Sequence, residues 1–285
     1  MKIGFVGLGQ MGLPMACHLV AGHDVRGFDL RESAVRSLVD AGGRAAKDIP
    51  DAIDGADVFI TSLVCEPLLS VAEAEVIPKL RSPQIWLDIS TLPAPEARRL
   101  YRLCRQKGVS YLDAPVTGGD SGAKQARLRV FVGGDRPAFD RVRPLIERWA
   151  RPGGILFVEG TGMGQVQKVC QQLKNRLLDM ARLEVMNFGH SAGLTLEQTL
   201  AAMEVEPASQ DPYAALYRII EEGRADELGF VFGEWPYYLA EADEKGIPMP
   251  MLRGMYEHRR TGKMVNHDGQ GRPGPSVWNE LRLGR

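Results

Sequence analysis

Short, unbroken apolar runs alternate with stretches of helical period along the first half of the chain. Strands are expected at Ile3 to Val6, Asp24 to Phe28, Asp57 to Leu63, Ile85 to Ile89, Tyr111 to Ala114, Arg129 to Val132 and Ile155 to Val158. Between the early ones, Met11 onward, Arg31 to Val39, Ala72 to Leu80 and Pro95 to Lys107 space their apolar residues as helices do. Runs that are apolar at every position suit strands buried on both faces, and strand alternating with helix predicts a parallel, doubly wound α/β sheet. After Gly164 the pattern changes. Val169, Leu173, Leu177, Met180 and Leu183 fall on one face of a helical run from Gln165 to Ala192. Further helices are expected at Leu196 to Met203, Tyr213 to Glu222, Gly229 to Lys245 and Met249 to Arg260, and an irregular tail at Gly262 to Ser276. The expected organisation is an α/β domain over residues 1–163 and an all-helical domain over 164–285, joined through the long bridging helix.

The first strand-to-helix junction carries the first chemical signal. Gly7-Leu8-Gly9-Gln10-Met11-Gly12 is a GxGxxG. In a Rossmann-type dinucleotide fold its first glycine makes the tight turn and its second lets backbone approach a pyrophosphate. The third lets helix pack on strand, and the phosphates meet the positive end of the helix. A glycine-rich turn without a ligand has the same pattern, so the next strand matters. That strand closes on Asp29, about 20 residues past the glycines, where a carboxylate accepts hydrogen bonds from the ribose hydroxyls and repels a 2′-phosphate. NAD is favoured, and Arg31 two residues on leaves NADP open. Asp29 also suits the N-cap of the helix that follows.

Composition narrows the field without adding chemistry. The 285 residues are 44% hydrophobic and 25% charged with a formal net charge of -1, which suits a globular chain of two domains and implies no nucleic-acid partner. The first apolar run is broken by glycine after six residues without a cationic leader, and no stretch reaches the roughly 20 apolar residues of a membrane span. A cytoplasmic protein without a membrane partner is expected. Cys17, Cys65, Cys104 and Cys170 are scattered, with no CxxC pair, and read as reduced packing residues; no metal site is expected.

Three separated motifs carry a family resemblance. They are "GLGQMGLPMA" (Gly7 to Ala16), "DAPVTGGDSG" (Asp113 to Gly122) running on to "VGG" (Val132 to Gly134), and "GTGMGQVQKVCQQL" (Gly160 to Leu173). In this order they resemble the cofactor signature, substrate segment and catalytic helix of the β-hydroxyacid dehydrogenases, the group of 3-hydroxyisobutyrate dehydrogenase and tartronate semialdehyde reductase. The resemblance implies an NAD(P)-dependent oxidoreductase with Lys168 as general acid/base and a small-molecule substrate held at Thr117, Gly118 and Gly119. It also implies nicotinamide and ribose contacts at Leu63, Ser90 and Thr91, and a homodimer or homotetramer. Physically, oxidation of a hydroxyl needs a base for its proton, and burial disfavours a charged lysine enough to make one. Thr117-Gly118-Gly119 suits an anion through its hydroxyl and approachable N–H groups, although a plain glycine turn reads the same.

Two places depart from the family pattern. An Asn pair is usual three and four residues past the lysine; Gln171 and Gln172 stand here, and Gln172 keeps an amide on the Lys168 face. A Lys-Asp pair falls on Gly233 and Glu234, followed by the aromatics Trp235, Tyr237 and Tyr238. These changes suit a bulkier or aromatic substrate, or aromatics that belong to the domain core or a dimer contact. A cofactor-binding protein without turnover and an imine reductase are the alternative functions.

Overall fold

The computed structural model describes residues 1–224 and 234–260, which divide into two compact units on either side of Cys170 and Gln171. The first unit begins β1 (Lys2–Val6), α1 (Gly12–Val20), β2 (Asp24–Phe28), α2 (Glu32–Asp40), β3 (Arg44–Ala45), α3 (Ile49–Ile53) and β4 (Val58–Thr61). It continues with α4 (Cys65–Val71), which passes through a π turn at Ala72–Val76 into α5 (Ile77–Lys79), then β5 (Ile85–Asp88), α6 (Ala94–Arg105), β6 (Ser110–Asp113) and β7 (Val116–Thr117). The last elements are α7 (Gly119–Lys124), β8 (Leu128–Gly134), α8 (Arg136–Ile146), β9 (Ala150–Glu159) and the start of α9 (Met163–Ser191).

β1, β4 and β5 bury nearly every residue, as strands covered on both faces must. β1 pairs in parallel with β2 and β4, β5 joins β4 and β6, and β3 forms one edge. Ile3, Phe5, Met15, Leu19, Ile60 and Leu87 belong to a core that continues to Val130, Val142 and Trp149. The sheet is not wholly parallel as expected. β6 and β7 lie along one edge of β8 in a single antiparallel register, Asp113 opposite Gly133, Val116 opposite Val130 and Thr117 opposite Arg129. Residues 118–127 are too few for a parallel crossover, which needs a dozen or more, so the chain turns back. α8 is long enough to cross, and β9 is parallel to β8.

The helix expected at Ala72 to Leu80 begins earlier, at Cys65. Several elements were not expected at all. α3 is a short helix whose Asp48 side chain accepts from the Asp51 N–H at 2.7 Å, with Pro50 in its first turn. α8 buries Phe139, Val142, Leu145 and Ile146 at helical spacing.

The second unit carries the rest of α9, then α10 (Leu196–Ala202), α11 (Pro212–Glu221), α12 (Trp235–Lys245) and α13 (Pro250–Arg260). Thr195 and Gln198 close α10 with a reciprocal capping box, and Asp211 caps α11 through the Tyr213 N–H. Gly246, at φ +65°, ends α12. The helix start expected at Gly229 and the tail at Gly262 to Ser276 lie outside the described residues.

The start of α9 lies directly on the sheet. A Cβ at Gly164 would stand 2.4 Å from the Asp113 carbonyl oxygen and 2.5 Å from that of Phe131. Gly164→Ala is therefore expected to lower unfolding stability by about 1–3 kcal/mol, measured by denaturant titration, because neither neighbour is a side chain that can rotate away. Unchanged stability would show that the helix start can lift off the sheet.

Candidate active site

The glycine-rich turn separates what the fold needs from what a ligand needs. Gly7 has φ +94°, donates its N–H to the Phe28 carbonyl at 3.0 Å, and a Cβ there would meet the Ser62 carbonyl at 2.2 Å. A Cβ on Gly12 would stand 1.8 Å from the Gly7 carbonyl, so α1 packs on β1 only with glycine. Gly9 is different. The nearest atom to a Cβ there is Arg31 Nη2 at 4.0 Å, so the backbone of the turn is uncrowded where a pyrophosphate approaches in such folds. α1 has Met11 at its N-cap, with no side-chain cap and no acidic residue in its first turn, so its N–H groups and dipole face that approach, with Gln10 exposed beside it. These residues fit a dinucleotide.

Asp29 closes β2 against this turn. Its Oδ2 accepts from the Leu8 N–H at 2.7 Å and its Oδ1 from the Arg31 N–H at 2.9 Å and Arg31 Nε at 3.2 Å. Arg31 Nη2 in turn donates to the Leu8 carbonyl at 3.0 Å. Burial pushes the carboxyl up, but the hydrogen bonds from Arg31 and Leu8 outweigh it and hold the group below the usual carboxylate range.

Beyond β4 and β5 the ends of two strands are joined to the start of α9. The Leu63 N–H donates to Ser90 Oγ at 3.0 Å, and the buried Lys168 places its Nζ 2.5 Å from Thr91 Oγ1. Gln165, one turn before the lysine and 1% exposed, straddles Thr91. Its Nε2 donates to the Ser90 carbonyl at 2.9 Å and its Oε1 accepts from the Leu92 N–H at 3.2 Å. Sequence reasoning missed Gln165; its one signal is a position three residues before Lys168, on the same side of the helix.

Two buried carboxyls support this junction. Asp113 accepts from the Gly162 N–H at 2.7 Å and the Gln165 N–H at 2.9 Å, holding the beginning of α9 to the end of β6. Burial raises it to about 7 against those bonds, and nearby Asp88 adds to the rise. Asp88 accepts from Thr61 Oγ1 at 2.8 Å, the Ser90 N–H at 3.0 Å and the Tyr111 hydroxyl at 3.0 Å; burial pushes it up too, against those donors.

The structure brings Leu63, Thr91 and Lys168 together, and Leu8 with Asp29. Thr117 is half-buried at the end of β7, followed by Gly118 and Gly119 at φ +134° and +64°. Gln172 stands four residues beyond Lys168 on α9 and is half-buried, while Gln171 Oε1 is buried without a hydrogen-bond partner among the described residues. Gly233 lies outside the described residues; Glu234 accepts from the Tyr238 hydroxyl at 2.6 Å, and Trp235 and Tyr238 are buried. Among the described residues no three His, Cys, Asp or Glu groups are placed to hold a metal, the four cysteines are free thiols, and no helix is long and apolar enough to cross a membrane.

A parallel sheet with an uncrowded glycine turn and a carboxylate after β2 defines a nicotinamide-dinucleotide-binding protein, and residues 2–164 match the NAD binding domain of 6-phosphogluconate dehydrogenase. The chain belongs to the β-hydroxyacid dehydrogenase family. It is similar to the NAD-dependent L-serine dehydrogenase of Pseudomonas aeruginosa, 38% identical over 197 residues that make up 68% of this chain and 65% of that enzyme. The matched stretch thus spans just under two thirds of that relative's length. A solved 3-hydroxyisobutyrate dehydrogenase of Mycobacterium tuberculosis with L-serine aligns over 99% of this chain and 98% of its own, with TM-score 0.80 and 26% identity. An imine reductase of Myxococcus stipitatus in complex with NAD+ shares the fold, with TM-score 0.65 and 18% identity over 98% of each chain.

The raised Asp113 carboxyl has a measurable consequence. Between an unfolded value of about 4 and its folded value of about 7, the folded protein holds a proton that the unfolded chain has released, so stability falls as pH rises through that window. Asp113→Asn removes this titration. Denaturant unfolding from pH 4.5 to 7.5 is expected to show a shallower decline than in the wild type, with Asp88 accounting for what remains; equal slopes would mean that Asp113 stays ionised throughout.

Proposed function

We propose that the protein is an NAD-dependent dehydrogenase that moves hydride between nicotinamide and a β-hydroxy acid or the matching semialdehyde or ketone. The observation that carries this reading is the buried Lys168 held against Thr91 at the end of β5, beside a strand end tied to Leu63. The uncrowded turn at Gly9 supports a cofactor cradle of Gly7, Leu8, Gly9, Gln10, Met11 and Gly12, with Asp29 on the adenosine ribose and Leu63 and Thr91 toward the nicotinamide. NAD+, when bound, supplies the hydride acceptor. Lys168, as the neutral amine, takes the hydroxyl proton at Nζ as the carbonyl forms, and as the ammonium returns it in reduction. Thr117, Gly118 and Gly119 orient the substrate, and Gln172 reaches it from α9.

The substrate class follows the chemistry shared by 3-hydroxyisobutyrate and L-serine, a hydroxyl on the carbon β to a carboxylate. Burial of Trp235 and Tyr238 favours their role in packing over an aromatic substrate pocket. The domain expected from residue 164 onward is assigned the contacts of a homodimer or homotetramer in the cytoplasm.

Lys168→Ala is expected to lower kcat about 10²- to 10⁴-fold on the best member of a 3-hydroxy acid panel, followed by absorbance of the reduced nicotinamide, with NADH fluorescence titration unchanged. Turnover that survives this change would remove Lys168 from the acid/base role. Asp29→Ser should raise the kcat/KM ratio of NADP to NAD about tenfold or more, since a carboxylate next to a 2′-phosphate is lost and Arg31 is released. An unaltered ratio would place cofactor choice elsewhere.

A further inference from the structure

β8 carries a cation where it passes the Thr117 segment. Arg129 is the register partner of Thr117, and partners across an antiparallel pair share a face, with Cβ atoms about 4.5–5.5 Å apart. Leu128, Val130 and Val132 point from the other face into the core. The Arg129 face takes Phe131 and Gly133, and there the beginning of α9 packs. A Cβ on Gly133 would stand 2.5 Å from the Gly164 nitrogen, and Gln167 Nε2 donates to the Val132 carbonyl at 3.4 Å. Arg129, Thr117 and the first turns of the helix that bears Lys168 therefore lie on one side of the sheet.

The Arg129 guanidinium lies against an aromatic ring. Its Cζ lies 5.9 Å from the centre of the Phe131 ring, and its Nε is buried with no hydrogen-bond partner among the described residues. Other arginines of the same unit, such as Arg26, Arg31 and Arg99, each pair with a carboxylate. A buried donor left unpaired is a cost that native proteins rarely leave standing, and an aromatic ring under a guanidinium fixes its plane without using its N–H fork. That fork matches a carboxylate with two parallel hydrogen bonds.

We propose that Arg129 is a specificity-determining residue that takes the substrate carboxylate beside the Thr117 hydroxyl, making the protein selective for hydroxy acids over their uncharged esters and amides. The assignment rests on the dehydrogenase reading and deepens it. It also accounts for a site that keeps an anionic substrate although position 233, where the family resemblance implies a lysine, is glycine. The cation comes from the sheet instead.

The test compares wild type, Arg129→Gln and Arg129→Lys on the best acid of the panel and on its methyl ester. In Arg129→Gln, KM for the acid is expected to rise roughly 30-fold or more, with kcat within a few-fold and KM for the ester unmoved, and Arg129→Lys should recover part of the loss. NADH titration confirms that each variant is folded. An unchanged acid KM, or equal losses on acid and ester, would overturn the assignment. If the wild type turns over no acid, the dehydrogenase reading falls, and Arg129 is then read by calorimetry with 3-hydroxyisobutyrate on NADH-loaded protein. Binding by wild type that Arg129→Gln loses would still support the carboxylate role, whereas equal binding, or none by either, would end it.

Discussion

Two hydrogen bonds accepted by one buried carboxylate hold the beginning of α9 against the end of β6. A helix start leaves backbone N–H groups without partners, and at this start Gly162 and Gly164 are buried, Gly164 against strand carbonyls. Asp113 answers the N–H groups of Gly162 and Gln165 from the sheet below. Burying a carboxyl is unfavourable, and the rise in its proton affinity measures that tension. The arrangement holds because the same contact sets the first turns of the helix, from which Lys168 and Gln165 project.

From there the order spreads sideways. Gln165 grips the backbone on both sides of Thr91, Ser90 receives the Leu63 N–H, and Asp88 receives the Ser90 N–H and the hydroxyls of Thr61 and Tyr111. Each of these polar groups is answered by another, which is the condition under which a buried network stiffens a region rather than weakening it. The lysine thus meets a threonine whose neighbours cannot easily shift. Such rigidity suits chemistry in which a proton leaves a hydroxyl oxygen while a hydride leaves the carbon that bears it, in a fixed geometry.

Much of this was legible where local rules suffice. β1, β2 and β5 match their apolar runs to within a residue, and Gly7, Gly12 and Asp29 stand where turn chemistry places them. β3 and β7, two residues each, and α3 are too short for any period to register. The direction of β8 depends on the length of the connection before it, which strand propensity does not report. Gln165 reads as one more polar residue in "GQVQK", and only tertiary burial makes it a clamp. The family resemblance singled out Lys168 and Thr91 separately, and their pairing, between residues far apart in sequence, comes from the fold alone.

The reversal of β8 changes which part of that strand meets the crevice. In an all-parallel sheet, ligands gather where strands finish, and the opening residues of each strand sit at the far rim. Because β8 runs the other way, its early residues stand beyond the closing residues of β6, Arg129 level with Thr117 and Val130 with Val116. One short connection therefore enlarges the set of positions from which a side chain can be recruited to a ligand. It adds the beginning of a strand to a rim otherwise built from strand endings, without disturbing the parallel sheet that carries the dinucleotide.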